Sequence, residues 1–242
     1  MAAHKIEAAR WHNCFIIKFS IAMAADELLP EPLPADPLPM FATWFSDARA
    51  RNVQPNPDAM VVATVGENSA PSARVVLCKR LVPDQGFIVF FTNYDSRKGR
   101  ELAEHPRAAA VFHWDMMHRQ VRLEGPIVLS PAPESDQYFA SRAFESRVGA
   151  WASAQSEPLA RRDTLVEQVQ SVKERLGLLQ ATEGSVPRPP HWGGVRLWID
   201  TIELWAEGAG RIHDRARWTR PLTKKDEFSF SAGPWTGTRL YP

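Results

Sequence analysis

Cysteine is almost missing from this chain. Cys14 and Cys78 are the two present, with no Cys-x-x-Cys spacing, so neither a disulfide framework nor a zinc motif is indicated and a reducing cytoplasm fits. Seven scattered histidines supply no metal motif either, and no metal is expected. A charge of one sign is lacking as well: the formal net charge of +1 gives no general pull toward nucleic acid or a membrane. Gly208-Ala209-Gly210 has no third glycine and falls between strands, which disfavours a Rossmann dinucleotide site. What remains is ordinary for a globular protein, with 44% apolar and 24% charged residues, and 242 residues suit one sizeable domain.

The first 25 residues contain one apolar stretch, Phe15 to Ala25, interrupted by Lys18 and far too short to cross a bilayer. A disordered leader is expected there, with Met23 as an internal start; a signal peptide is the competing reading. Leu28 to Pro39 is rich in proline and acid, which predicts an extended arm, able to fold over a neighbouring subunit. Met40, Phe41, Trp44 and Phe45 recur at helical spacing and predict an amphipathic helix to Ala50. Strands are expected at 59–65, 72–80, 86–92, 108–114 and 119–129, separated by turn formers. Ser130-Pro131 should open a helix, serine at the cap, on which Tyr138 and Arg142 share a face. Leu165, Val169, Val172, Leu176 and Leu179 mark a further helix with one buried stripe. Two closing strands are expected at 195–205 and 211–218. Short antiparallel strands with few helices argue for a small closed or split barrel.

Two stretches carry chemistry. In the first, Arg74-Val75-Val76-Leu77-Cys78-Lys79 is β-rich with a cation at each end, and 91–99 runs from a strand into a helix capped by Asp95 or Ser96. Arg97 and Lys98 then occupy the first turn, where the helix dipole opposes them unless an anion binds. A phosphate or plain solvent would each satisfy that pattern. In the second, alternation puts Arg211, His213, Arg215 and Arg217 on one strand face, either a solvated edge or a ligand site. Arg74 and Lys79 are an odd number apart, so reaching one ligand requires a bulge or a strand end between them.

Six ordered motifs carry a resemblance: Arg74-x-x-Leu77-x-Lys79, Phe91-Thr92-Asn93-Tyr94-x-Ser96-Arg97-Lys98-Gly99, Arg119-Gln120-Val121-Arg122, Gly149-Ala150-Trp151-x-Ser153-x-Gln155-Ser156, Pro187-x-Pro189-x-x-Trp192-Gly193-Gly194 and Arg211-x-His213-Asp214-Arg215. From about Pro37 to Pro242 the chain resembles the pyridoxamine 5′-phosphate oxidase family. The resemblance implies a mainly β fold with flanking α-helices, an FMN-binding split β-barrel acting as a homodimer with two FMN sites at the subunit interface. It divides the chain into a variable leader and arm (1–36), a flavin-binding barrel (37–192) and C-terminal strands completing the site and dimer region (193–242). It implies oxidation of pyridoxine or pyridoxamine 5′-phosphate to pyridoxal 5′-phosphate by hydride transfer to the flavin, with dioxygen as acceptor, giving hydrogen peroxide, and ammonia from the amine.

By the same resemblance FMN is held by Arg74 through Lys79, Phe91, Thr92, Arg97, Lys98, Gln120, Gln155, Ser156, Trp205 and Arg215. The substrate phosphate falls to Lys79, Tyr138, Arg142 and Ser146, and Arg211 and His213 contact the reacting part of the substrate. Neither of the two is assigned as the base. The chain departs from the family where Leu204-Trp205-Ala206-Glu207-Gly208 replaces Phe-Trp-Gln-Gly, at Asp115-Met116-Met117-His118, and in the long link 221–233. Two other readings compete: a flavin oxidase of the phenazine-pathway branch, which should lack the substrate-phosphate residues, and a non-catalytic carrier of FMN or pyridoxal phosphate.

Overall fold

The structure, a computed structural model, describes residues 28–52, 54–181 and 183–242. The expectations for the leader and for Cys14 lie outside those residues. The arm at 28–37 has no helix and packs on its own chain: Leu29 N–H donates to Asp214 Oδ2 at 2.8 Å, and Trp218 Nε1 donates to Pro34 O at 2.9 Å. Helix α1 (Leu38–Ala50) buries Phe41, Trp44 and Phe45, as the helical spacing of its aromatics requires. Phe41 and Phe45 meet Phe112 with ring centroids 5.5 Å apart, and each buried aromatic contributes about 2 kcal/mol of apolar transfer.

Strands β1 (Ala59–Val65), β2 (Pro71–Leu77), β3 (Arg80–Val82), β4 (Phe87–Asn93), β5 (Arg107–Trp114) and β6 (Arg119–Leu129) alternate with helix α2 (Arg97–Glu104) in the first half. Then come α3 (Ala132–Ala140), α4 (Phe144–Ala152) and α5 (Arg162–Arg175), followed by β7 (Trp192–Trp198), β8 (Thr201–Ala206), β9 (Asp214–Thr219), the hairpin β10 (Leu222–Lys224) and β11 (Phe230–Ala232), and β12 (Thr236–Leu240). Pairing runs β2-β1-β5-β6 on one side and β3-β4-β7-β6 on the other. Two residues join β2 to β3, so the circuit closes through the chain itself, as a split barrel. β8, β9 and β12 extend the sheet outward from the first half of β6.

β6 changes partner midway: 119–124 pairs with β8 and 127–129 with β7. Gly125 sits at the change, where a Cβ would lie 1.7 Å from the carbonyl oxygen of Trp198. Gly125→Ala is therefore expected to cost about 3 kcal/mol or more, because backbone rather than a flexible side chain blocks it. A urea melt superimposing on the parent's would contradict this.

Several expectations need correction. The stretch 195–205 is two strands, broken at Ile199-Asp200 so that β7 can join β4 while β8 joins β6. Ser130 is no helix cap; its N–H still donates to Gly194 O at 2.9 Å, prolonging the sheet, and Pro131 takes the cap position. The helix ends at Ala140, so Arg142 lies beyond it, and α4 was not anticipated. Leu179, placed in the buried stripe of the last helix, is 43% exposed and lies past its end. The last strand starts only at Asp214: Arg211 has φ +67° and lies with His213 ahead of it, which leaves Arg215 and Arg217 as its alternating cations.

Candidate active site

A cleft of about 840 Å³ opens between β2, the end of β4 and the start of α2 on one side and α3, α4 and the segment after α4 on the other. Its shape begins with the turn from β4 into α2. Asn93 Oδ1 accepts from Asp95 N–H at 2.7 Å, and Ser96 Oγ donates to Asn93 O at 2.6 Å while accepting from Gly99 N–H at 3.3 Å. Gly99 is required here, since a Cβ would meet Tyr94 O at 2.0 Å. Ser96, not Asp95, is the cap, and Arg97 and Lys98 enter the first turn as expected.

Lys98 is buried. Its Nζ donates to Thr92 Oγ1 at 2.8 Å, Gln155 Oε1 at 3.1 Å and Ser96 Oγ at 3.2 Å. Burial, aided by repulsion from Arg74, pushes its pKa down to about 8. Arg74 donates to Thr64 Oγ1 and Ser72 Oγ, both at 2.5 Å, and approaches Glu101 at 3.2 Å. Arg97 Nε meets the other Glu101 oxygen at 2.8 Å, with its side chain 59% exposed. Burial opposes the Glu101 charge, but hydrogen bonds from Ser72, Thr64, Arg97 and Arg74 prevail and hold its pKa at about 2. Three cations thus converge on one end of α2, with one carboxylate among them.

β2 stops at Leu77 and β3 starts at Arg80, so Lys79 sits at a strand end, its N–H donating to Val89 O at 2.8 Å. That is the irregularity the odd spacing demanded, and it lets Arg74 and Lys79 line one cleft. Val75, Val76 and Leu77 line it too. Cys78 does not: its side chain is in the core with Sγ against Arg80 O, and burial pushes the thiol up to about 12. The opposite wall carries an aromatic stack. Tyr138 lies 3.9 Å from Phe91 and Trp192 lies 5.5 Å from Phe91, their planes within 19°. Arg142 caps Trp192 at 4.6 Å; its buried NH1 has no hydrogen-bond partner among the described residues, and burial lowers its pKa. Ser146, Gln155 and Ser156 complete the residues that sequence placed here.

Gln120, Trp205, Arg211, His213 and Arg215 do not line this cleft. All but Arg211 form a second cluster on β6, β8 and the approach to β9. Trp205 pairs with Gln120 on one side and Arg215 on the other, and the His213 ring lies 4.7 Å from the indole. His213 Nδ1 accepts from Gly208 N–H at 3.2 Å, and Arg215 is held by buried Glu203 at 2.8 Å. Arg211 is exposed on the preceding turn. Sequence reasoning missed Glu101, Glu203, Thr64 and Ser72. Of these, only the Arg97–Glu101 spacing of four gave a local signal.

Two family models match the chain: pyridoxamine 5′-phosphate oxidase over residues 46–175, and the pyridoxine 5′-phosphate oxidase C-terminal dimerisation region over 192–242. A pyridoxine/pyridoxamine 5′-phosphate oxidase of Burkholderia lata is 50% identical over 196 residues, 81% of this chain and 87% of the relative. The chain belongs to the pyridoxamine 5′-phosphate oxidase family. The homologue from Herminiimonas arsenicoxydans is 48% identical, covering 86% of this chain and 90% of its own. Among solved structures, PhzG from Burkholderia lata, in complex with tetrahydrophenazine-1-carboxylic acid, matches with a TM-score of 0.73 at 28% identity over 88% of this chain and 95% of that one. A pyridoxamine 5′-phosphate oxidase-related, FMN binding protein from Nostoc punctiforme matches with a TM-score of 0.59 at 14% identity over 84% and 96%, and shares the fold. Against the family pattern, two departures meet each other: Glu207 Oε2 is in short contact with His118 Nδ1, and Glu207 N–H donates to His118 O at 2.9 Å. The added acid therefore has a partner within the chain.

Proposed function

We propose that this chain is an FMN-dependent oxidase that converts pyridoxine 5′-phosphate and pyridoxamine 5′-phosphate to pyridoxal 5′-phosphate. The observation that carries the reading is one cleft lined by two sets of phosphate-binding groups on different elements: Arg74, Arg97 and Lys98 on β2 and α2, and Lys79, Tyr138, Arg142 and Ser146 on the β2–β3 link and around α3 and α4. Two phosphates, one of the cofactor and one of the substrate, satisfy both. The donor set fits FMN: cations and a helix N-terminus for its phosphate, Gln155 and Ser156 for polar ring edges, and an aromatic wall. Bound there, FMN would supply the two-electron oxidation, with dioxygen as acceptor.

The chain's own residues bind and orient. Arg142 and Lys79 neutralise the substrate phosphate, and the Phe91–Tyr138–Trp192 stack excludes water beside it. The working unit is a homodimer in which the Gln120–Trp205–His213–Arg215 cluster of one protomer, with Arg211, faces the cleft of its partner. Two observations support this: the match of 192–242 to a dimerisation region, and the exposed Val61, Val65 and Val75 on the outer face of β1 and β2. Arg211→Ala is expected to lower turnover at least tenfold while FMN stays bound, since one charged contact to the reacting substrate is worth roughly 1.5–3 kcal/mol. Unchanged turnover would remove Arg211 from the site.

The likeness to PhzG favours a second reading, a flavin oxidase acting on a phosphate-free ring. The buried NH1 of Arg142, without a hydrogen-bond partner among the described residues, argues for the phosphate ester instead. Aerobic incubation of FMN-loaded protein with each phosphate ester and with the phosphate-free alcohol and amine, following aldehyde and peroxide together, separates them. Products from the esters alone support the proposal, whereas FMN binding without any product would overturn it.

A further inference from the structure

Glu101 forms no part of the cleft wall, yet it is tied to two of the cations that do. Its side chain is 7% exposed, and it joins three elements. Oε2 accepts from Ser72 Oγ at 2.6 Å, from Arg74 NH2 at 3.2 Å and, in a short contact, from Thr64 Oγ1; Oε1 accepts from Arg97 Nε at 2.8 Å. A carboxylate beside an anion-binding site could act in two ways. It could compete with the incoming anion for the arginines, or it could hold them in place for it.

The geometry separates these. Glu101 lies off the cleft wall, anchored by Thr64 behind it and by Ser72 at the cleft's edge, so it does not itself occupy the space a ligand would fill. It takes only Nε of Arg97, whose terminal nitrogens make no hydrogen bond among the described residues. Those are the nitrogens that grip a phosphate side-on. Arg74 and Lys98, two like charges, line the same site, and a fixed negative charge between Arg74 and Arg97 lets the cations stay converged without a ligand. Without it, Arg97, more than half exposed, would regain the rotamer freedom of a long surface side chain.

We propose that Glu101 is a positioning residue that preforms Arg74 and Arg97 into a receptor for a phosphate monoester. This rests on reading the cleft as a flavin-phosphate site. Removing the carboxylate makes the trap more positive but lets both guanidiniums move; the loss of geometry outweighs the gain in charge, because solvent screens charge at the open side and does nothing to restore alignment.

The test compares the parent protein with Glu101→Gln by titrating FMN, riboflavin and inorganic phosphate, alongside thermal melts. The expected result is FMN and inorganic phosphate both weakened by about tenfold, with riboflavin unchanged. A general loosening of the fold would weaken riboflavin too, so the FMN-to-riboflavin ratio is the deciding quantity. Equal FMN and phosphate affinities in parent and variant overturn the proposal and leave the flavin reading standing. If the parent binds inorganic phosphate but not FMN, the flavin reading falls, and the role of Glu101 is still read from phosphate. A parent that binds neither removes both. Should Glu101→Gln fail to fold, Glu101→Asp keeps the charge but draws it back from Arg74 and Arg97; a smaller loss in the same direction supports the proposal, and none overturns it.

Discussion

Arg142→Ala is expected to raise KM for both phosphate esters by about a hundredfold, with FMN still bound. Its guanidinium is partly buried, with NH1 out of contact with water and without a hydrogen-bond partner among the described residues. The Trp192 ring offsets part of the cost of holding a charge there and an arriving anion offsets more, and truncating one member of such a buried pair costs roughly 2–5 kcal/mol. Arg142→Lys should rescue little, because the flat guanidinium lies 4.6 Å over the Trp192 ring, a stacking that an ammonium cannot reproduce. Steady-state kinetics with an ester and its phosphate-free counterpart gives the answer: the ratio of their kcat/KM should collapse in the variant. A preserved ratio would take Arg142 out of substrate recognition.

FMN affinity should fall as pH rises above about 8. Lys98 in the free protein titrates near that value because burial, and then Arg74, disfavour its charge. A bound phosphate favours the charged form, so binding raises the pKa of Lys98. Between about pH 7 and 8 the lysine is largely protonated and affinity changes little. Above that range, binding must first take up a proton, and affinity drops by up to about tenfold per pH unit until the bound-state pKa is reached. The second ionisation of a phosphate monoester, near pH 6, is complete by then and does not mask the effect. Lys98→Met should abolish this pH dependence and weaken FMN about a hundredfold at pH 7, with riboflavin little changed. The folding linkage has the opposite sign. Between pH 8 and 10.5 the unfolded chain binds the proton that folded Lys98 has lost, so the ligand-free protein gains stability across that window. A flat FMN affinity from pH 7 to 9.5 would refute the assignment.

The parts legible in the sequence were those with a local period. Strands β1 and β6 fall at 59–65 and 119–129, the bounds that alternation gave, and the aromatic spacing of α1 reports its buried face. The break between β7 and β8 left no such mark: 195–205 alternates as one strand, and its division is set by which neighbours the two halves join, a long-range matter. The cations at 211–217 alternate in sequence, but Arg211 adopts φ +67° and His213 precedes the strand, so backbone geometry overrides the pattern. In the cleft, Arg97 and Lys98 were readable from the helix start. The division of the expected flavin residues into two clusters was not, since it follows from β6 pairing with β8, more than 70 residues later.

Another late pairing, β4 with β7, governs how the chain can be made. β4 is the apolar run Phe87-Ile88-Val89-Phe90-Phe91, and the strand that covers its open edge begins at Trp192. On the ribosome, about a hundred further residues must emerge before that edge is capped. During that interval the nascent chain displays one of its stickiest segments, and a transcript truncated before residue 192 would display it permanently. Such fragments are expected to aggregate or recruit chaperones, and full-length refolding should be limited by the arrival of β7.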